Sequence, residues 1–455
     1  MQALLPWIAV AIVILTGWLI FKRYQTAMVL FMAGMLLILL ALLAGVDNIA
    51  AKGVKPSGFF LFDIFDTLCK FATKQAAGTG FLIMVAGGFA GYMDKIGAAK
   101  SLVTIALKPL HHFSQPYVVL AIGYIIGSML IAVIPSAAGL AMLLLVALYP
   151  ILRSVGVSAA AAAAVIGTTG GMTVGPASGN GLLAAKVAGI EPIVYFVSYQ
   201  MKIWIPTLIV VAICHYFVQK YYDKKNDDQY SEASEIKKDE NRDAPLWYAI
   251  FPILPIILLV IFSKFGVSSI KLNTNSALLL VWFLAMLTEL IRRRNPKEAL
   301  SDANHAFKVM GKMFSSIVVL IFCAEFFAHG LKVTGLIDGL IMSTQGAGFG
   351  FTGMTTVMTG VVGAVTFLTG SGVGAFAAFA ALANDISTAL GGSTAEFITP
   401  MHFASGMFRA MSPVAGVIIA VAGAAGVSPL AIVRRTWIPM CAGMITIMIG
   451  VFTLF

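Results

Sequence analysis

Apolar runs of about 20 residues, the length that a membrane-spanning helix needs, recur along this chain from one end to the other. The first two cover about residues 3–21 and 26–46, and the last covers about residues 430–454. Hydrophobic residues make up 59% of the 455 residues and charged residues only 11%, whereas soluble proteins carry about 25% charged residues. The pattern predicts an all-α polytopic membrane protein, since the short alternating segments of a membrane β-barrel are not seen.

Basic residues are concentrated in alternate loops, which predicts the orientation of the chain. The basic side carries Lys22-Arg23, Arg153, the lysine-rich segment 219–245, Arg292-Arg293-Arg294 and Arg434-Arg435. Because basic loops stay in the cytoplasm, we predict a cytoplasmic linker at 219–245 and both termini outside. The net charge of +10 is spread over many short loops, which disfavours a nucleic-acid partner, and the four cysteines lack the paired spacing of a metal site.

The apolar run from about 158 to 189 is interrupted at its centre by the stretch GTTGGMTVGPASGNG, residues 167–181. Glycine and proline break the helical hydrogen-bond ladder, and unpaired backbone groups in lipid cost several kcal/mol each. Such a break is tolerated only inside protein or along a watery cavity, where its hydroxyls, amides and helix ends can hold a polar solute. We interpret residues 167–181 as half of a transport site.

Three further interruptions belong to the same pattern. Apolar arms between about 116 and 152 flank Pro135-Ser136-Ala137-Ala138-Gly139, and arms between about 350 and 390 flank Thr369-Gly370-Ser371-Gly372. These small central residues and short arms predict two re-entrant hairpins. A second broken helix is predicted over about 397–425, interrupted near Ser412-Pro413.

The two sides of the charged segment repeat one another. The matched pairs, in order, are Lys95-Ile96-Gly97 with Val333-Thr334-Gly335, Ser136-Ala137-Ala138-Gly139 with Thr369-Gly370-Ser371-Gly372, Pro176-Ala177-Ser178-Gly179 with Pro413-Val414-Ala415-Gly416, Gly189-Ile190-Glu191-Pro192 with Gly426-Val427-Ser428-Pro429, and Trp204-Ile205-Pro206 with Trp437-Ile438-Pro439. The shared order indicates a first repeat over 1–218, a linker over 219–245 and a second repeat over 246–455. About five crossings plus one hairpin in each half would invert the second repeat relative to the first.

The two hairpin tips and two breaks are expected to meet near the bilayer midplane. Half-helix N-termini carry roughly +0.5 of an elementary charge and free N–H groups, so two of them facing one cavity form an anion site. Arg409 costs at least about 2.5–3.5 kcal/mol at mid-membrane and can hold a carboxylate bidentately. The predicted binding residues are Ser136, Ala137, Ala138, Gly139, Thr168, Thr169, Pro176, Ser178, Gly179, Asn180, Thr369, Gly370, Ser371, Gly372, Ser405, Arg409, Ser412 and Pro413. The structural alternatives are close helix packing by the small residues, and an ion pair or snorkelling for the arginine.

Three polar residues in apolar surroundings are candidates for binding a coupling ion: Glu325, His402 and Asn180. Glu325 could relay a proton, or could be a structural partner of Arg409 or Lys312. His402 could titrate near neutral pH, or could be a satisfied core histidine. No metal site or organic cofactor is expected, and coupling to either protons or sodium ions is open.

The chain resembles, nearly end to end, the DcuC family of bacterial anaerobic C4-dicarboxylate carriers in the ion-transporter superfamily. The resemblance is clearest in Gly87-Gly88-Phe89-Ala90-Gly91-Tyr92-Met93, Ser136-Ala137-Ala138-Gly139-Leu140, Pro176-Ala177-Ser178-Gly179, Thr369-Gly370-Ser371-Gly372 and Arg409-Ala410-Met411-Ser412-Pro413-Val414-Ala415-Gly416-Val417. It implies an inner-membrane secondary carrier for succinate, fumarate, malate or aspartate, with inverted repeats, an elevator-like movement and, as in many members, a homodimer. In an inner membrane, the termini that the charge pattern places outside are periplasmic. The chain has neutral Asn180 where family members can carry an aspartate, which leaves the coupling ion open.

We therefore predict a secondary transporter of C4-dicarboxylates, working by exchange, cation-coupled uptake or efflux, rather than an enzyme. The sequence has no Walker-type phosphate-binding motif for ATP drive and no catalytic cluster of histidine, aspartate or cysteine. An amino-acid, citrate or cation/proton antiporter on the same scaffold is the alternative in this class. An ion channel is the competitor from another class, and repeated discontinuous helices favour alternating access over it.

Overall fold

The computed structural model describes residues 5–22, 24–46, 49–225, 244–263, 265–267, 269–336, 339 and 350–455, and this part of the chain contains helices and turns but no strand. In the first half the helices are α1 (Leu5–Phe21), α2 (Thr26–Leu43), α3 (Phe60–Ala77), α4 (Thr79–Lys95), α5 (Ala98–Leu107), α6 (Pro116–Leu130), α7 (Ala137–Ser154), α8 (Ala159–Thr168), α9 (Gly179–Val187), α10 (Pro192–Tyr195) and α11 (Met201–Lys225).

In the second half the helices are α12 (Ile250–Ile261), α13 (Thr274–Arg293), α14 (Pro296–Ala303), α15 (His305–Met313), α16 (Val319–Val333), α17 (Phe351–Thr369), α18 (Gly372–Ala380), α19 (Ala383–Ala389), α20 (Thr394–Ala410), α21 (Gly416–Ala425) and α22 (Pro429–Leu454). Of the predicted linker 219–245, residues 226–243 lie outside the described part. Residues 219–225 instead complete α11, because the helix runs on to Lys225.

Seven helical segments of the described chain are long and apolar enough to cross a membrane: Thr26–Leu43, Ala137–Ser154, Pro192–Lys225, Thr274–Arg293, Pro296–Val333, Phe351–Thr369 and Pro429–Leu454. The bent pair α3 and α4, with an angle of 42° between them, makes an eighth when counted as one span. The all-α polytopic prediction is confirmed. One arm of each predicted hairpin, α7 and α17, is itself of spanning length, so the re-entrant path of the hairpins stays a prediction.

Both predicted broken helices are interrupted where glycine and proline cluster. The first stops at Thr168 and resumes at Gly179, and the second stops at Ala410 and resumes at Gly416. The backbone between each pair of half-helices consists of turns, bends and residues without regular structure. Within the first break Gly175 has a φ of 113°, a value that residues with a Cβ rarely adopt.

Helix ends in the two halves coincide at three of the five matched motifs, and the two tryptophan motifs both lie inside a helix, α11 or α22. Ser178 and Ala415 are the N-cap residues of α9 and α21, with φ/ψ of −74°/134° and −69°/131°. Gly189 and Gly426 both have left-handed backbone, with φ of 69° and 66°, just before a helix that starts with proline. Equal motifs thus form equal local structure at these positions, while the division into two inverted repeats stays a prediction.

The hairpin tips are the exception, because the sequence match there is displaced by two residues. Ser136 caps α7 by accepting a hydrogen bond from the N–H of Gly139, and Ser371 caps α18 by accepting one from Gly374. The structural counterpart of Ser136 is therefore Ser371, not Thr369. The N-cap is the residue at which the helix starts. Small residues flank the tip on both sides, so the sequence comparison could not locate the start of the helix.

Two large clusters of buried apolar side chains form the core, and both broken helices pass from one to the other. The first cluster contains α8, the hairpin α6–α7, α11, α21 and α22. The second contains α9 together with α2, α4, α13, α16, α17 and α18. Helix α20 contributes Phe397 and Met401 to the second cluster and Phe403 and Met407 to the first. The first break therefore lies where the two clusters adjoin, whereas the second break, with Met411 and Ala415, belongs to the first cluster.

Candidate functional site

The first break lies directly against α20. The Asn180 side-chain nitrogen donates to the Ser405 hydroxyl at 2.9 Å, and that hydroxyl donates to the His402 carbonyl at 2.6 Å. A Cβ atom added at Gly406 would overlap the carbonyl oxygen of Gly171. Backbone from one half of the chain therefore packs on backbone from the other half.

Each hairpin tip packs against one break. A Cβ atom at Gly170 would lie 2.5 Å from the Cβ of Ala137, at the first tip. A Cβ atom at Gly370, in the second tip, would lie 2.8 Å from the Cα of Ala415, in the second break. The two tips and two breaks thus form one contiguous group in the protein rather than four separate places on its perimeter.

Arg409 is the cation of this group. Its Nη2 donates to the carbonyl oxygen of Gly170 at 2.8 Å, across the contact between the two breaks. Its Nε is buried with no partner, and no carboxylate of the described residues pairs with it. Gly170 follows the C-terminal end of α8, where the helix dipole is negative. Among the described residues, this partly buried charge is therefore balanced by the Gly170 carbonyl and the dipole of α8, and by no carboxylate.

Three serines organise the half-helix N-termini. Ser136, Ser178 and Ser371 each accept a hydrogen bond from the backbone N–H three residues later, at 3.1, 3.1 and 3.2 Å. Ser136 and Ser371 are exposed, whereas Ser178 is buried. Other first-turn N–H groups have no acceptor within their own helix, so the tips and breaks present donors that suit an anion.

Four other predicted hydroxyl groups already donate hydrogen bonds to carbonyl oxygens of the protein. Thr168, Thr169 and Thr369 donate to carbonyls of their own helices, and Ser412 donates to the Phe367 carbonyl of α17 at 2.6 Å. These four side chains position the breaks and the second tip. The remaining predicted residues lie in the tips, the breaks or the first turns that follow them: Ala137, Ala138, Gly139, Pro176, Gly179, Gly370, Gly372 and Pro413.

Glu325 pairs with neither Arg409 nor Lys312. Its Oε1 lies 3.1 Å from Nζ of Lys186 and also accepts a hydrogen bond from Gln75. The pair links α9, the second half of the first broken helix, to α16. Both side chains are partly exposed, at 24% and 21%. The partner of this carboxylate is therefore neither of the two that the sequence suggested.

His402 is fully buried and has a polar neighbour on each side of its ring. Nε2 lies 3.3 Å from the Thr173 hydroxyl, in the first break, and Nδ1 lies 3.4 Å from the Tyr195 hydroxyl. Tyr195 also lies 3.1 Å from the Thr399 hydroxyl. The histidine therefore ties α20 to the first break and to α10.

Gln200 is a residue of the site that sequence reasoning missed. It ends a π-helical turn, Phe196–Gln200, and its Oε1 accepts a hydrogen bond from the N–H of Gly175 at 2.9 Å. It is fully buried. The available signal was a lone glutamine in an apolar run. The direction in which its side chain points depends on the extra residue of the π turn, and the period of a regular α-helix does not predict that extra residue.

The sequence model of the C4-dicarboxylate anaerobic carrier family, DcuC, matches residues 5–455. The chain is 33% identical over 448 residues to the "Probable anaerobic C4-dicarboxylate transporter DcuC" of Vibrio cholerae serotype O1, covering 98% of this chain and 97% of that protein. It is 31% identical over 446 residues to the "Anaerobic C4-dicarboxylate transporter DcuC" of Escherichia coli K12, covering 97% and 95%. These relatives are named as transporters, in line with the prediction of a non-enzyme.

Two solved structures of transporters share the fold. The Neisseria gonorrhoeae protein MtrF, described with a class of antimetabolite efflux pumps, has a TM-score of 0.59 at 12% identity and covers 94% of each chain. The YdaH transporter of Alcanivorax borkumensis, described as having an unusual topology, has a TM-score of 0.63 at 13% identity and covers 95% of this chain and 97% of its own. At these identities the likeness establishes the fold alone.

Proposed function

This chain belongs to the DcuC family of C4-dicarboxylate anaerobic carriers, and on that premise we propose that it is a secondary transporter of C4-dicarboxylates in the bacterial inner membrane. Succinate, fumarate, malate and aspartate are the proposed substrates, moved by exchange, cation-coupled uptake or efflux. The observation that carries the proposal is Arg409, a partly buried cation without a carboxylate partner among the described residues, placed where the two breaks touch.

A substrate carboxylate supplies the counter-charge that this arginine lacks. A buried charge without a partner is costly, and the planar guanidinium matches a carboxylate in a two-bond geometry. The carboxylate binds the Nε, which has no partner, and a free N–H of Nη2, while the Gly170 carbonyl keeps its bond to Nη2 and so orients the guanidinium. The second carboxylate of the substrate binds the first-turn N–H groups that follow Ser136 and Ser371, because helix N-termini favour anions.

Uptake of a dianion into a negative-inside cell requires coupling. Each charge costs about 2.3 kcal/mol per 100 mV, so two charges cost about 4.6 kcal/mol per 100 mV. Co-transported protons or sodium ions remove that cost, and efflux does not incur it. The candidate coupling groups are Glu325, His402 and Asn180, of which Asn180 joins the first break to Ser405 in α20.

The transport cycle proposed for this site is an elevator-like movement of the hairpins and broken helices, in a homodimer with periplasmic termini. Single cysteines at Ser136 and Ser371, labelled from each side of the membrane, test it. If the site opens alternately to the two sides, substrate is expected to raise the labelling rate of one tip and to lower that of the other. Labelling of both tips from one side only, with or without substrate, contradicts it.

The function is tested by counterflow of labelled succinate in proteoliposomes, with unlabelled fumarate, citrate and aspartate as competitors. Saturable exchange that fumarate and aspartate inhibit is expected, whereas inhibition by citrate alone indicates the alternative antiporter and non-saturable flux indicates a channel.

The role of the arginine is tested in the same assay. Arg409→Ala is expected to lower the apparent affinity for succinate at least about tenfold. Arg409→Lys is expected to lower it less, because a lysine keeps the charge but not the planar guanidinium. Exposed Arg434→Ala is the control. Unchanged exchange in Arg409→Ala removes the arginine from the binding site.

A further inference from the structure

A buried row of polar side chains connects the first break to the end of α11 that precedes residues 226–243. Helix α11 carries His215, Gln219 and Asp223 at intervals of four residues, which places them on one face. Their exposed fractions are 0%, 0% and 8%, and that of Arg435 in α22 is 2%. Polar groups this deep in an apolar cluster must be paired, so their hydrogen bonds can be followed one by one.

The hydrogen bonds of this row fix which group donates and which accepts at each contact. The Arg435 Nη1 donates to the Asp223 carboxylate at 2.6 Å and to the Gln219 Oε1 at 3.3 Å. The Gln219 Nε2 in turn donates to the backbone carbonyl of Arg435 at 3.0 Å. Exchanging the amide oxygen and nitrogen would set donor against donor and acceptor against acceptor, so these two contacts determine the amide orientation.

That orientation determines the tautomer of His215. The Gln219 Nε2 lies 3.2 Å from Nδ1 of His215, which therefore accepts. The proton is then on Nε2, which donates to the Thr168 hydroxyl at 3.0 Å. The Thr168 hydroxyl has its single proton directed to the carbonyls of Ala164 and Val165, at 2.9 Å each. With an exposed fraction of 0%, this hydroxyl does not meet a substrate directly.

Thr168 nevertheless lies next to the contact between Gly170 and Arg409. It is the last residue of α8, its carbonyl accepts from the N–H of Gly171 at 2.8 Å, and the Gly170 carbonyl between them holds Arg409. We propose that His215 is a positioning residue of the transport site, which through Thr168 fixes the turn that presents the Gly170 carbonyl to Arg409. This inference rests on the proposed function, in which the arginine binds the substrate.

A matched pair of variants separates positioning from mere stabilisation. His215→Gln places an amide nitrogen where Nε2 lies and so keeps the donor to Thr168, while the acceptor for Gln219 is lost. His215→Asn places its amide near the former Nδ1 and keeps the contact with Gln219, while the donor to Thr168 is lost. Each removes one buried hydrogen bond, so a purely structural role predicts equal falls in melting temperature and equal apparent affinities.

The measurements are the half-saturation concentration and maximal rate of succinate exchange in proteoliposomes, with the melting temperature of each purified variant. His215→Asn is expected to raise half-saturation at least about tenfold, and His215→Gln to stay within about threefold of the parent, at similar melting temperatures. Equal half-saturation in the two variants overturns the inference.

Thr168→Val provides the second route if the histidine variants do not fold, because it removes the same contact from the other side. It is expected to raise half-saturation as His215→Asn does, and a value equal to the parent's overturns the inference. A parent protein without dicarboxylate exchange refutes the proposed function itself. The two failures are distinguishable, since one is seen in the parent and the other only in the variants.

Discussion

Replacement of Gly406 by alanine tests whether the two broken helices depend on direct backbone contact. Gly406 lies inside α20, one residue after Ser405, and a Cβ atom there would overlap the carbonyl oxygen of Gly171 in the first break. The obstructing atom belongs to the backbone, so no side-chain rotation relieves the overlap. The break must move away from α20 by on the order of 1 Å.

The expected cost follows from what that movement disturbs. Overpacking of a filled interior costs about 1–3 kcal/mol, and loss of the hydrogen bond between Asn180 and Ser405 costs about 1 kcal/mol. Alanine regains up to about 1 kcal/mol over glycine within a helix. The net destabilisation is about 1–3 kcal/mol, and the bond from Arg409 to the Gly170 carbonyl is displaced with the break.

Two other helical glycines serve as controls for the same substitution. Gly360 in α17 and Gly423 in α21 have no atom within 4 Å of an added Cβ. Alanine at either position is expected to leave stability unchanged or raise it by up to about 1 kcal/mol. The sign of the effect therefore differs between chemically identical changes.

Thermal unfolding of the purified variants and counterflow in proteoliposomes measure both consequences. Gly406→Ala is expected to melt below the parent and to lose apparent affinity for succinate, while the two controls melt at or above the parent and exchange normally. If Gly406→Ala matches the controls in melting temperature and in exchange, the backbone contact between the halves does not support the site.

Three further changes have defined outcomes. Arg435→Met leaves Asp223 buried without its cation, at a cost of about 3–5 kcal/mol that chemical or thermal unfolding will detect, and an unchanged melting temperature contradicts the buried pair. Gly175→Ala places a Cβ on a residue with φ of 113° and is expected to cost about 1–3 kcal/mol in the same assay. Lys186→Glu is expected to lower exchange and Lys186→Glu with Glu325→Lys to restore part of it; a double variant no better than the single shows that the pair is unimportant.

Much of the fold could be predicted because its signals are local. Apolar runs of spanning length identify helices without knowledge of their neighbours, since lipid requires every backbone group to be paired within the segment. The first break coincides with residues 167–181 for the same reason, because glycine and proline end a helix wherever it packs. Equal motifs give equal helix ends, as at Gly189 and Gly426.

The candidate site could be predicted only in its composition. Arg409 was singled out from its place in an apolar run, but its bond to the Gly170 carbonyl joins residues 239 positions apart. For Glu325 the sequence left open a proton relay or a structural partner, Arg409 or Lys312, whereas the structure pairs it with Lys186. A residue's type signals that a partner is needed, and packing alone decides which partner comes within reach.

His215 and Gln200 are residues of the site or next to it that the sequence did not single out. Neither belongs to a motif, and each looks like an isolated polar residue in an apolar helix. Their roles arise from a π-helical turn and from a row of contacts with α22, which no local period encodes.

The sequence by itself determined the membrane-spanning class, the approximate positions of the apolar helices and the places where two of them break, because these follow from short-range backbone chemistry in lipid. Only the tertiary structure decided which tip meets which break, where Ser371 starts its helix, and which carbonyl holds Arg409. Those contacts join residues far apart in the chain, and their geometry depends on how whole helices pack.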